Sequence, residues 1–274
     1  MSVSTTPPPV LRDLQGLLRW NLGLDFEHAN LVMREYAHFH ALGMALRIKK
    51  PEFWQAAREP INSSAYDMPE EELDDVAKHT VELLCSDPGI NKYEDRIRKS
   101  IMANKSVKAL MAVEENEPWV SIVHGDGWVN NILFHHAKNG KVDKVKFVDY
   151  QITRMSSPLL DLPYFLCTSS NADVMDNHFD ELLDVYHSRF VDVLAKVGCN
   201  VSPFTKENFI EEFNRVAKNE LFHCAMALKF ITMEVQQDDD LGDIKASVML
   251  SSAEKIFFDR SWKVVSKFVE KGWI

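Results

Sequence analysis

Between Trp119 and Tyr150 the chain changes period, and that one stretch constrains the fold more than any other feature of its 274 residues. Trp119 to Val123 is a short apolar run, Trp128 to His135 is a second, and Lys144 to Tyr150 alternates in β fashion through Val145 and Phe147. The turn signal Asn139-Gly140 separates the last two runs, so they form an antiparallel hairpin with a somewhat extended loop. Everything around this stretch reads as helix. Asp25 is a suitable N-cap for a helix to about Lys50, whose Ala29, Val32, Met33, Tyr36, Phe39 and Met44 recur near 3.6-residue spacing. Arg47, Lys49 and Lys50 suit the C-terminal end of its dipole, and Pro51 stops it. From Pro51 to Pro69 the pattern is lost and a loop is expected. Helices follow over about Glu70–Leu84, Lys92–Glu115, Asp176–Val197 (closed by Gly198), from the N-cap Thr205 to about Val235, and from Ile244 to the end. With the hairpin region as its β part, the chain is expected to be α+β and mostly helical.

The polar residues crowd into the ends of those strands. His124-Gly125-Asp126-Gly127-Trp128-Val129-Asn130-Asn131 follows the first apolar run, and Val148-Asp149-Tyr150-Gln151 follows the last. Asp126, after a strand and a glycine, belongs in a tight loop with its carboxylate at the sheet edge. Asn131 stands eight residues before Asn139 and Asp149 nine after Gly140, so hairpin pairing brings the two to nearly opposite positions. Three oxygen-bearing side chains thereby converge. Phosphoryl transfer from a nucleotide needs such a set, since the protein must orient an attacking hydroxyl and hold Mg2+ on phosphate oxygens. Mg2+ accepts a few hard oxygen ligands and keeps several waters, which one Asn carbonyl and one Asp carboxylate satisfy. The five positions from Asp126 to Asn131 also equal the Asp-to-Asn spacing of the protein-kinase catalytic loop.

Blander readings stand beside these. Asp126 could be a turn residue, His124 a buried structural histidine, and Asn130 a backbone-satisfying neighbour, with Asn131 preferred for metal by spacing. Asp161, before an apolar Leu-Pro-Tyr-Phe-Leu run, reads as a cap or buried acceptor. Trp128 and Tyr150 read as core. His38 and His40, two apart on a helix, share no face for a metal. The Asp238–Asp240 run is a solvated loop or a metal site.

Charge and composition remove several function classes. The net charge of -10, from 31 Lys plus Arg against 41 Asp plus Glu, offers no broad basic surface for nucleic acid. The Pro-containing start has no apolar core for a secretory signal, and no stretch reaches the length of a membrane span. Cys85, Cys167, Cys199 and Cys224 show no ligand spacing and read as reduced thiols of a cytoplasmic protein.

VHGDGWVNNILF, KFVDYQ and SSPLLDLPYFL resemble the choline-kinase-like (CHK) family, which includes ecdysteroid kinase-like proteins and is related to aminoglycoside phosphotransferases. The resemblance runs from about Gly23 to the C-terminus, and includes the helix from Glu27-His28-Ala29 to Phe39-His40-Ala41-Leu42 and the segment Asp180-Glu181-Leu182-Leu183 with Tyr186-His187. It implies a protein-kinase-like C-terminal lobe over residues 23–274, with 1–22 as a Pro-containing N-terminal segment, and ATP and Mg2+ as cofactors. It implies that Asp126 is the catalytic base, that Asn131 and Asp149 bind Mg2+, that His124 holds the catalytic loop, and that Asp161 bonds the loop backbone. The acceptor it implies is a small-molecule alcohol, steroid-like or otherwise lipophilic.

Only 24 residues precede the first strong helix, whereas five strands and a helix need at least about 50. No GxGxxG, P-loop or VAIK-like segment occurs. The expectation is therefore a lobe without its N-terminal ATP-holding partner, with no assigned nucleotide-contacting residues, read either as a shortened kinase or as a non-catalytic module that binds ligand or a partner. An exposed apolar face where the other lobe would sit is expected to attract a protein partner.

Overall fold

A computed structural model describes residues 22–62, 69–105, 118–232 and 255–274. These residues form an α+β, mostly helical structure. Helix α1 (Phe26–Lys49) starts where expected, Asp25 accepting from the His28 amide at 3.1 Å. Its buried stripe of Ala29, Val32, Met33, Tyr36, Ala37, His40, Ala41 and Met44 packs along α7 (Phe179–Lys196), whose Leu182, Leu183, Tyr186, Phe190 and Leu194 are buried at the same helical spacing. Around this pair stand α3 (Glu70–Cys85), the single turn α4 (Pro88–Asn91), α5 (Glu94–Asn104), α6 (Asp161–Ser169), α8 (Lys206–Ala217), α9 (Leu221–Ile231) and α10 (Lys255–Glu270). Among the described residues no helix is long and apolar enough to cross a membrane, and the four cysteines are free.

Two helical segments differ from the sequence expectation. Residues 51–62 are helix, α2 (Pro51–Asn62), not loop. Pro51 ends α1 and also opens α2, because its fixed φ suits a first helical position that needs no amide donor. Trp54, Ala57 and Ile61 give α2 one apolar edge, which packs on Val120, Met155 and Ile122 in a small second core. The helix expected from Thr205 to about Val235 is two helices. Thr205 caps α8, accepting from the Asn208 amide, but the chain turns at Lys218, Asn219 and Glu220 before α9 begins. The parts of the expected helices over 106–115, 233–235 and 244–254, and the Asp238–Asp240 run, lie outside the described residues.

The β content is also larger than expected. Strands β2 (Ile132–His136) and β3 (Val142–Phe147) form the expected hairpin, with Ile132 opposite Phe147 and Gly140 at φ +80° in its turn. A second two-stranded antiparallel sheet pairs β1 (Ser121–Val123) with β4 (Arg154–Ser156), Val123 opposite Arg154. Tyr150 is not core: it is 47% exposed, on a loop that follows β3. At the start of the described chain, Leu24 bridges the end of α6, donating its amide to the Ser169 carbonyl at 2.7 Å and accepting from the Asn171 amide at 2.9 Å.

Candidate active site

The loop after β1 is fixed before any of its side chains is considered. Asp161, first residue of α6 and 2% exposed, accepts from the His124 amide at 2.7 Å through Oδ2 and from the Gly125 amide at 2.9 Å through Oδ1. His40 of α1 reaches the same carboxylate, Nε2 to Oδ2 at 3.0 Å, while its Nδ1 meets the Tyr186 hydroxyl at 2.9 Å. Burial pushes the His40 pKa down and outweighs the nearby carboxylate. The ring is thus neutral, donating from Nε2 to Asp161 and accepting at Nδ1 from Tyr186. Burial acts to raise the Asp161 pKa, but the hydrogen bonds from His40 and from the Gly125 amide hold it below the ordinary carboxylate value. Asp161 is therefore ionised, and its three donors compensate the burial of its charge.

His124 is fully buried, and its ring spans two parts of the site. Its Nδ1 accepts from the Asp126 amide at 3.3 Å, which leaves the proton on Nε2, and Nε2 donates to the Val148 carbonyl at 3.0 Å. The imidazole so ties the loop to the end of β3. Glycine is needed on both sides of Asp126. Gly125 has φ +81°, and a Cβ there would stand 2.8 Å from the Ile152 carbonyl oxygen. A Cβ on Gly127 would stand 1.5 Å from the Tyr36 hydroxyl, which donates to the Gly127 carbonyl at 2.8 Å.

Asp126 itself is held from two sides. Tyr164 of α6 donates from its hydroxyl to Oδ1 at 3.1 Å, and Asn131 donates from Nδ2 to Oδ2 at 3.0 Å and to the Asp126 carbonyl at 2.8 Å. This fork uses the amide nitrogen of Asn131 and leaves its carbonyl oxygen outside the arrangement. Asn131 is 9% exposed and directly precedes β2, in a single 3-10 turn over Val129–Asn131. Its main-chain carbonyl accepts from the Val148 amide at 2.9 Å, which puts Asn131 and Asp149 at the same end of the hairpin. Asp149 is not the last residue of a strand, since β3 stops at Phe147. It is exposed and has φ +65°, alone among the described non-glycine residues in taking a positive φ. Among the described residues its Oδ2 receives only a long contact of 3.5 Å from Gln151 Nε2.

A metal ion at this place has hard oxygen donors available in the Asn131 carbonyl oxygen and the Asp149 carboxylate, a set that fits Mg2+. Among the described residues no three His, Cys, Asp or Glu side chains are grouped to hold a metal, so the remaining positions would be filled by water or ligand oxygens.

Several neighbours carry no short-range signal in the sequence. Tyr164 is buried, and burial together with the charge of Asp126 raises its pKa well above the ordinary phenol value, so it remains a donor. Its ring stacks on His223 at 4.1 Å and 20°, and His223 Nδ1 lies 2.9 Å from Oε2 of the buried Glu220. The turn between α8 and α9 is what places Glu220 there. Arg154 of β4 is 8% exposed with its charge towards Asp161, Glu220 and Asp126, and burial lowers its pKa. Trp128 is half-buried, its Nε1 without a hydrogen-bond partner among the described residues.

Residues 17–199 match the family model described as the ecdysteroid kinase-like family. No curated protein matches the chain.

Proposed function

The chain belongs to the ecdysteroid kinase-like family, a family of kinase-like small-molecule phosphotransferases, and from that premise we propose that it transfers the γ-phosphoryl group of ATP to the hydroxyl of a small, lipophilic or steroid-like alcohol. The observation that carries the reading is the hold on Asp126: Asn131 at 3.0 Å on one carboxylate oxygen and Tyr164 at 3.1 Å on the other, in a loop whose backbone is pinned by Asp161. A carboxylate fixed in this way can accept the proton of an attacking hydroxyl along one direction. Asp126 is the proton acceptor in this reading, and His124 and Asp161 are positioning residues. The Asn131 carbonyl oxygen and the Asp149 carboxylate are the residues to hold Mg2+. Bound there, the ion neutralises charge on phosphate oxygens during transfer. Residues 23–274 act as the lobe that carries this loop, and we place the reaction in the cytoplasm.

A second reading has its own support. Leu133 and Tyr150, 55% and 47% exposed, give the hairpin region apolar surface for a partner. In that reading the lobe binds a ligand or another chain without turnover.

Calorimetric titration with Mg-ATP separates the two. Micromolar binding that Asp149→Ala abolishes supports the kinase, and a screen of alcohols for ADP release, silent in Asp126→Asn, then completes the test. No binding up to millimolar Mg-ATP rejects the kinase reading for this chain.

A further inference from the structure

On the side of the hairpin where β2 meets the start of α1, two histidines stand head to head. His28, in the first turn of α1, and His136, last residue of β2, bring their Nε2 atoms to 3.1 Å. Their ring centroids are 5.3 Å apart at 52°. The other nitrogen of His28 is committed: Nδ1 lies 2.6 Å from Oδ1 of Asp25, the residue that also caps the helix. A carboxylate oxygen accepts, so His28 Nδ1 is the donor to Asp25. That fixes the tautomer of His28 with its Nε2 lone pair directed at His136.

We propose that His28 and His136 form a two-histidine site for a divalent transition cation such as Zn2+ or Cu2+, with Asp25 as the carboxylate that orients His28. Metal–nitrogen bonds of about 2.0–2.1 Å put two cis ligands about 2.8–3.4 Å apart, from square-planar to tetrahedral geometry, and 3.1 Å lies inside that range. The chain Asp25–His28–cation repeats the carboxylate–histidine–metal order that sets ring orientation and ligand basicity at metal centres. The register of β2 shifts between His135 and His136, and Phe134 and His136 both meet His28, the Phe134 ring edge-on at 4.9 Å to form an apolar side wall. Imidazole nitrogen selects transition cations over Mg2+, so this site and the oxygen pair Asn131 and Asp149 differ in what they take.

Only two protein ligands face the cation, since no third His, Cys, Asp or Glu completes a group among the described residues. The remaining positions belong to water, and binding is open and exchangeable. Its structural effect is a tie between the first turn of α1 and the far end of the strand that begins after Asn131. The inference does not rest on the phosphotransferase reading.

The test is a Zn2+ titration by calorimetry of the full chain stripped with EDTA, in millimolar Mg2+ to occupy oxygen sites. One micromolar Zn2+ site is expected in the wild type. His136→Ala, at an exposed strand end, is expected to weaken it at least tenfold with the circular dichroism spectrum unchanged. His28→Ala should do the same, and Asp25→Asn, which keeps a capping oxygen, should weaken it several-fold. His135→Ala, whose side chain pairs instead with Asp143, should leave affinity within twofold. Zn2+ binding that is equal in wild type and His136→Ala, or no wild-type site below millimolar, overturns the proposal.

Discussion

The two ends of the candidate active site are built to opposite standards. At one end, the His124–Asp126 loop is fixed by groups from α1, α6 and the hairpin: Asp161 takes two amides, His124 bridges to Val148, Tyr36 holds the Gly127 carbonyl, and Tyr164 and Asn131 hold Asp126. At the other end, Asp149 is exposed, takes a positive φ, and among the described residues has only the long contact to Gln151. A group that must meet a substrate proton in one direction gains from being over-determined, because a misplacement of about 1 Å costs rate. A group that must take up a ligand from solvent gains from open lone pairs. The division of labour is visible in how many hydrogen bonds each carboxylate already spends inside the protein.

Breaking the fixed end is expected to give the largest effects. Asp161→Ala leaves the His124 and Gly125 amides and His40 without their acceptor in a dry interior, and is expected to cost about 3–5 kcal/mol in urea unfolding. The same pair sets a pH dependence. A His40 pKa held below its unfolded value means that the unfolded chain binds more protons, so stability is full above about pH 6.5 and falls as pH drops through the folded value. The depressed Asp161 pKa adds a second loss, starting below about pH 4 and completed as pH falls through its folded value. Urea midpoints measured from pH 8 to 3 check both, and midpoints that rise on acidification would contradict the neutral-His40 assignment.

Next in size is Gly127→Ala, where the new methyl collides with the Tyr36 hydroxyl, for an expected loss of roughly 1–3 kcal/mol. Adding Tyr36→Phe removes the colliding oxygen, so the double variant should be more stable than Gly127→Ala alone, a coupling readable in a double-mutant cycle. Tyr164→Phe deletes one hydrogen bond to a carboxylate that Asn131 still holds. It should cost about 0.5–1.5 kcal/mol by the same unfolding assay, with any transfer activity reduced and not abolished. At the open end, Asp149→Gly relieves the positive φ and should change the unfolding free energy by no more than about 1 kcal/mol. A larger loss would mean that Asp149 is as much a structural member as Asp126, and would erase the contrast between the two ends.

The sequence discloses these ends unequally. The Asn139-Gly140 turn sets the hairpin register by local chemistry, so the approach of Asn131 to the Val148–Asp149 segment can be read from spacing alone. The Asp126–Asn131 pair is five residues apart and equally local. His40, by contrast, is 121 residues from Asp161, and Tyr164 is 38 residues from Asp126. His40 reads as one more position on a buried helix face until α6 arrives beside it. Helix α2 escapes notice because its apolar edge is only Trp54, Ala57 and Ile61, and the segment that covers it includes β4, itself three residues long and opened by an arginine. The turn at 218–220 is hidden for a similar reason. No glycine or proline marks it, and what recommends it is the distant contact of Glu220 with His223 beneath Tyr164.

The anchoring of the His124 loop by a residue that comes later in the chain has a consequence for biosynthesis. Asp161 leaves the ribosome 37 residues after His124. At about 5–20 residues per second the nascent loop waits roughly 2–7 s for its acceptor, with two glycines and no fixed shape. During that interval the residues of α1 are already synthesised, and the acceptor that His40 and the loop share does not yet exist. The His124 loop is thus one of the last parts of the hairpin region to take its final form, and a pause in translation just before residue 161 would lengthen the time it spends open.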